Sequence, residues 1–118
     1  MASSRPKRGE VWLVSLGAAR TGEPGKNRPA VIVSVDALNA DVADELVVVV
    51  PLSSSRAPSA LRPEVSGIAG IDQPSRAICR AVRAVARTCL LQRLGELPPL
   101  VLVDVERALS LILGLGAS

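Results

Sequence analysis

This chain of 118 residues has no histidine, no phenylalanine and no tyrosine, and a single tryptophan, Trp12. Each absence excludes something. Without histidine there is no imidazole to carry protons near neutral pH and no histidine metal ligand. With one ring in the whole chain, composition argues against recognition of nucleobases by aromatic stacking. Trp12, flanked by Val11 and Leu13, reads as a core residue. The core must be built from Val, Leu, Ile and Ala, each of which buries less area than a ring. Two cysteines, Cys79 and Cys89, are too few for a disulfide framework or a cysteine-only zinc site. The polar start lacks the apolar stretch of a signal peptide. The apolar C-terminal stretch is interrupted by Asp104, Glu106 and Arg107, which makes it a poor membrane span. The expectation is a cytoplasmic protein with no membrane partner, no cofactor and no metal.

What remains is aliphatic and mildly basic. The chain is 48% hydrophobic with a formal net charge of +3. Its length fits one domain over residues 1–118, with residues 1–7 as a disordered basic lead. A small aliphatic domain gains burial by pairing with a second copy. The positive charge favours acidic partners.

Two short blocks stand out, Arg8-Gly9-Glu10-Val11-Trp12-Leu13-Val14 and Arg28-Pro29-Ala30-Val31-Ile32-Val33-Ser34. The patterning predicts a first strand over 10–16, and a second over 28–35. A flexible loop carrying Gly17, Gly22, Pro24 and Gly25 joins them. Residues 36–44 read as a turn or short helical excursion. A third strand over 46–52 is apolar on both faces and therefore central. It runs into the hydroxyls Ser53, Ser54 and Ser55 and a polar loop to residue 59. Residues 61–66 alternate like an edge strand, where Pro63 is tolerated, and 67–75 read as a loop. A last short strand is expected over 91–95. Pro98-Pro99 opens a helix that runs to about Leu113, with Gly114 suited to its C-terminal cap. The polar strip of that helix is narrow, Asp104, Arg107 and Ser110, so it needs cover on most sides. One side packs on the sheet, and the other calls for a second subunit.

The segment 76–87 is ambiguous. Its arginines, Arg76, Arg80, Arg83 and Arg87, fall at helical spacing, and its alanines favour helix. Read as a strand, Ile78, Arg80, Val82 and Ala84 share one face and Cys79, Ala81 and Arg83 the other. Periodicity alone leans to helix.

The opening R-G-E-V-W, the block from Gly22 to Ser34, the V-V-P-L-S-S block and the run from Arg107 to Leu115 together resemble the MazF/PemK-type toxins of bacterial toxin–antitoxin pairs. The resemblance spans Arg8 to Leu115. It implies a mainly β (α+β) fold, an SH3-like barrel or twisted antiparallel sheet with a C-terminal helix. It also implies a homodimer that cuts single-stranded RNA at short sequences without a metal, held in check by an acidic cognate antitoxin. In that family the segment matching 76–85 is a strand followed by a turn, so strand is the expectation there. Arg28 matches the family arginine before proline, Ser53 the hydroxyl position after the third strand, Glu23 a glutamate of the first loop, and Arg83 an arginine of the Q-x-R-x-I pattern. Lys26, Asn27, Ser54, Arg80 and Arg83 complete the expected RNA-binding set. Arg80 and Ala81 stand where Glu-Gln is frequent, and Pro24 where glutamine is common. The RNA sequence cut is therefore expected to differ from that of better-known members.

The residues suggest a chemistry for this. Arginine offers a planar, permanently charged fork matched to phosphate oxygens. Arg28 is placed to neutralise the developing phosphorane and donate to the leaving 5′-oxygen, Ser53 to hydrogen-bond a non-bridging oxygen, and Glu23 to take the 2′-proton. The competing plain readings are a surface arginine, solvated serines and an ordinary loop carboxylate. A non-enzymatic gyrase poison of the CcdB kind and a non-catalytic SH3-like binding module are the alternatives in other classes. The ending Leu115-Gly116-Ala117-Ser118 has no tryptophan of the sort gyrase poisons use.

Overall fold

The computed structural model describes residues 5–17, 27–39, 46–68 and 70–116. In chain order the elements are β1 (Glu10–Ser15), β2 (Asn27–Ile32), the one-turn helix α1 (Asp36–Asn39), β3 (Leu46–Ser53), β4 (Glu64–Val65) and β5 (Ser75–Ala77). A 3₁₀ turn at Cys79–Ala81 leads to β6 (Arg83–Ala86). A second at Arg87–Cys89 leads to β7 (Leu90–Glu96), and α2 (Pro99–Leu113) closes the described chain. All pairings are antiparallel, in the order β4-β5-β3-β2-β1-β7, with β6 also on β3. This is the expected twisted antiparallel sheet with a C-terminal helix.

β3 is central, as its apolar run predicts. One edge meets β2. Its other edge is shared: Leu46–Val49 pair with β6, and Leu52 and Ser53 pair with β5. That sharing explains the main departure from expectation. The segment 76–87 is neither one helix nor one strand. It is two short strands separated by a 3₁₀ turn, and the first begins at Ser75, a residue expected in a loop. The faces read for a single strand through 78–84 do not exist. β2 is also shorter than the predicted 28–35. After Ile32 the chain turns, with Val33 and Ser34 N–H groups both donating to the Val48 carbonyl. The fully buried Asn39 then ties the turn to Ser34 through its side chain.

Alternation along the strands sorts the aliphatic residues into two cores. Val11, Val31, Val50 and Leu52 face one way and pack with Ala77, Cys79 and, from α2, Val105 and Ala108. Trp12, Val14, Ala30, Ile32, Val47 and Val49 face the other way, with Val85 and Leu16. Trp12 is thus a core residue. α2 covers only the first face.

The helix ends follow the chain's own signals. Pro99 occupies the first turn, where its missing N–H is no loss, and Gly114 closes the helix at φ +69°. Gly9 has φ +91°, and a Cβ there would stand 3.3 Å from Leu102 on α2. The R-G-E opening is therefore a seam between the sheet and the helix. Arg8 reinforces it by pairing with Glu106 at 2.5 Å and donating to the Val33 carbonyl. Of the expected disordered lead, residues 1–4 lie outside the described residues, while Pro6 and Lys7 are anchored. Pro6 is buried, and the Lys7 N–H donates to Glu10 at 2.9 Å.

Candidate functional site

The β2–β3 pairing ends at Ala30 opposite Pro51. Its end has a physical cause. The Val33 N–H donates to β3, so alternate residues of β2, Val31 and Pro29 among them, direct their N–H positions at that neighbour. Pro29 has no N–H to give. The ladder therefore stops one residue short of the pair it would next have formed. Two residues past the last pair in each direction stand Arg28 on β2 and Ser53 on β3. Carrying the register on places these two opposite each other. Arg28 shares the face of Ala30, and Ser53 shares the face of Pro51 and Val49. Both therefore belong to the side of the sheet that α2 does not cover. In the other direction Arg28 pairs with Val14, which pairs with Leu90. The row runs across the sheet from Leu90 through Val14 and Arg28 to Ser53.

The environments of the two residues differ. Arg28 is half-buried, and its Nε is shielded from solvent with no hydrogen-bond partner among the described residues. Buried arginine nitrogens normally find partners, and an orphan costs about 1–3 kcal/mol. An unmet donor at the end of a sheet suits an incoming anion. Ser53 is buried, its Oγ lying 3.1 Å from Ser55 Oγ and accepting the Ser55 N–H at 3.3 Å. Ser54 is exposed between them. Asn27 opens β2 in solvent beside Arg28. Glu23 and Lys26, expected in the first loop, lie outside the described residues.

The four arginines of 76–87 do not form one solvated face. Arg76 donates to the Arg62 carbonyl at 2.9 Å and pairs with Glu64, and Arg87 donates to the Asn39 carbonyl. Arg80 and Arg83 are exposed. Arg83 pairs with Val49 and stands two residues before Val85, so it lies on the Arg28 face. Val49 is four residues from Ser53, about 13 Å along a strand. Arg83 is thus out of reach of a phosphate held by Ser53 and suited to a neighbouring one. Arg80 sits on the 3₁₀ turn between β5 and β6.

A residue not anticipated from sequence is Glu10. It is buried at the start of β1 and accepts from Trp12 Nε1 at 3.0 Å, from the Lys7 N–H and from Arg93 Nε at 2.7 Å. Burial pushes its carboxyl up, but the hydrogen bonds from Arg93, Trp12 and Lys7 outweigh burial and hold it below the usual 4.5. The G-E-x-W spacing was the available signal. Alternation puts Glu10 and Trp12 on one side of β1, where the indole needs an acceptor. Trp12, Arg87, Gln92 and Arg93 line an open cleft of about 530 Å³ on that side. Among the described residues no three Cys, Asp or Glu side chains gather as a metal set, and no helix is long and apolar enough to cross a membrane.

Residues 7–113 match the family model described as PemK-like, MazF-like toxin of type II toxin-antitoxin system. The chain belongs to this toxin family. It is 32% identical over 115 residues to the endoribonuclease MazF9 of Mycobacterium tuberculosis, an alignment covering 92% of this chain and 97% of that one. A second relative, at 30% identity with 93% and 98% covered, is a probable endoribonuclease MazF of Mycolicibacterium smegmatis. Among solved structures, an endoribonuclease in complex with its cognate antitoxin from a mycobacterial species superposes with a TM-score of 0.76. It is 25% identical, with 96% of this chain and 99% of that one covered. The MazF of Deinococcus radiodurans gives a TM-score of 0.81 at 22% identity over 96% of this chain and 100% of that one, which speaks to the fold. The antiparallel sheet with a C-terminal helix thus matches the MazF fold.

Proposed function

We propose that this MazF-like toxin is an endoribonuclease that cuts single-stranded RNA by internal attack, without a metal ion. The reading rests on the end of the β2–β3 ladder, where Pro29 stops the pairing and the register, carried on by two residues, brings Arg28 and Ser53 opposite each other on the side of the sheet that α2 does not cover. The names of the two curated relatives support the activity.

In the proposed reaction the 2′-oxygen forms a bond to the adjacent phosphorus and the bond from phosphorus to the 5′-oxygen breaks. The products are a 2′,3′-cyclic phosphate and a 5′-hydroxyl. Arg28 presents a permanent charge and an unmet N–H to the non-bridging oxygens as negative charge builds on them, and hydrogen-bonds the leaving 5′-oxygen, which takes its proton from water. Ser53 donates its hydroxyl to a second oxygen. Glu23 takes the proton from the 2′-hydroxyl. Asn27, Lys26, Ser54, Arg80 and Arg83 hold the flanking nucleotides, through edges and phosphates rather than aromatic stacking.

Two partners complete the proposal. A second copy covers the outer face of α2, where Leu100 and Leu111 are 80% and 72% exposed. An acidic antitoxin blocks the basic RNA track in the cytoplasm, as a cognate antitoxin binds the related mycobacterial endoribonuclease.

The test is primer extension on a long defined RNA in the presence of EDTA, with wild type, Arg28→Ala and Ser53→Ala. Discrete cuts at a shared short motif, lost in both variants, are expected. A folded wild type that leaves the RNA intact would sink the reading and direct attention to gyrase supercoiling.

A further inference from the structure

We propose that Ser55 is a positioning residue that turns the Ser53 hydroxyl into a dedicated donor toward the scissile phosphate. The inference rests on the role given to Ser53 above.

A serine hydroxyl carries one proton and two lone pairs. One lone pair of Ser53 Oγ already accepts the Ser55 N–H, at 3.3 Å. The Ser55 hydroxyl lies 3.1 Å away, and either oxygen of this pair is able to donate. The two senses have opposite consequences. If Ser53 donates, its only proton is used inside the protein, and what remains toward the substrate is a lone pair facing an anion. If Ser55 donates, both lone pairs of Ser53 are filled from one side and its proton is left to point at a phosphate oxygen. A bound phosphodiester selects the second sense, because only that sense turns repulsion into a hydrogen bond.

Burial separates the three hydroxyls of the run. Ser53 is 8% exposed, at the end of a strand whose register and partners hold it in place. Its hydroxyl therefore has few alternative partners and benefits most from having its orientation set in advance. Ser55 is exposed, so its own lone pairs keep their water when its proton turns inward. Ser54, exposed between them, belongs to the contacts with flanking nucleotides. The order buried, exposed, exposed gives the three serines different tasks that the repeated letter hides.

The closing experiment is single-turnover cleavage of a long defined single-stranded RNA transcript, followed at one mapped cut and titrated with enzyme. It compares wild type, Ser55→Ala, Ser55→Thr, Ser53→Ala and the double alanine variant. Ser55→Ala is expected to slow the saturated rate about tenfold, the scale of one lost hydrogen bond, with the half-saturating enzyme concentration unchanged. Ser55→Thr keeps the hydroxyl and is expected to cleave within about twofold of wild type. The double variant is expected to be no slower than Ser53→Ala alone, since Ser55 acts only through Ser53. The proposal is overturned by a wild-type rate in Ser55→Ala, by a loss that appears only in half-saturation, by a threonine variant as slow as alanine, or by losses that multiply in the double variant. A wild-type rate in Ser53→Ala would instead remove the underlying reading of the site, and the role of Ser55 with it.

Discussion

Replacing Arg28 should separate function from stability in an unusual direction. A half-buried arginine in a strand normally supports the fold, and its truncation destabilises. Here the Arg28 Nε is shielded from solvent with no partner among the described residues. Truncation to alanine removes that orphan donor, a gain of about 1–3 kcal/mol when fully desolvated and toward the lower end for a half-buried side chain. It also removes two methylenes from half-burial, a loss of roughly 1 kcal/mol, and substitutes a poorer strand former, costing up to about 1 kcal/mol. The terms nearly cancel, so Arg28→Ala is expected within about 1 kcal/mol of wild type in urea unfolding at fixed protein concentration. Arg28→Leu keeps the packing without the donor and is expected to be more stable than wild type by about 1 kcal/mol. Both should lose cleavage by at least about a hundredfold, the scale of a lost charge-stabilising donor. Arg28→Lys keeps the charge but not the fork and should fall between. A loss of more than about 2 kcal/mol in both the alanine and leucine variants would mean that the guanidinium holds the sheet together, and the argument that Arg28 serves a phosphate rather than the fold would fail.

Glu10→Gln should destabilise the protein by about 1–2 kcal/mol at neutral pH, discounted because Arg93 is partly exposed. The Glu10 carboxyl is held below 4.5, so its contribution is fully present above that pH and disappears as pH falls through the lowered value. Unfolding curves of wild type and variant should converge in acid, and a gap that stays constant with pH would refute the ionic account. Leu111→Asp, on the exposed outer face of α2, should shift sedimentation from dimer to monomer at micromolar concentration with little change in helix content; an unchanged sedimentation coefficient would place the interface elsewhere. Burial pushes the Cys79 thiol up to about 11, and neither cysteine is in a disulfide. A thiol reagent at neutral pH should therefore label the half-buried Cys89 in the native protein and Cys79 only after unfolding, and equal labelling rates would contradict the described core.

Most elements could be read locally. β1, the central β3 and the whole of α2 follow from alternation, an unbroken aliphatic run, and a proline start with a glycine stop. These signals lie within a few residues of one another, so the chain carries them without reference to the rest of the fold. The chemistry of the site was equally legible as types: an arginine before a proline, a serine after a strand, no histidine to compete.

Tertiary structure decided which of those residues come together. Arg28 and Ser53 are 25 positions apart, and only the antiparallel register of β2 on β3, cut short at Pro29, brings them to one end and one face. The helical spacing of Arg76, Arg80, Arg83 and Arg87 was a true local pattern that lost to long-range pairing. β3 needed partners along its whole outer edge, and two short strands with a turn between them supply more ladder than a helix would. The same pairing consumed Arg76 and Arg87 in structural contacts and left Arg80 and Arg83 in solvent, a sorting that no periodicity contains. Glu10 was visible as a letter but not as the acceptor that closes the Trp12, Lys7 and Arg93 contacts, because Arg93 arrives from β7, more than eighty residues away. Local pattern sets which side chains share a face. Which distant segments share an end is set by backbone hydrogen bonds that must be satisfied across the whole sheet, and the proposed site sits where one of those bonds cannot be made.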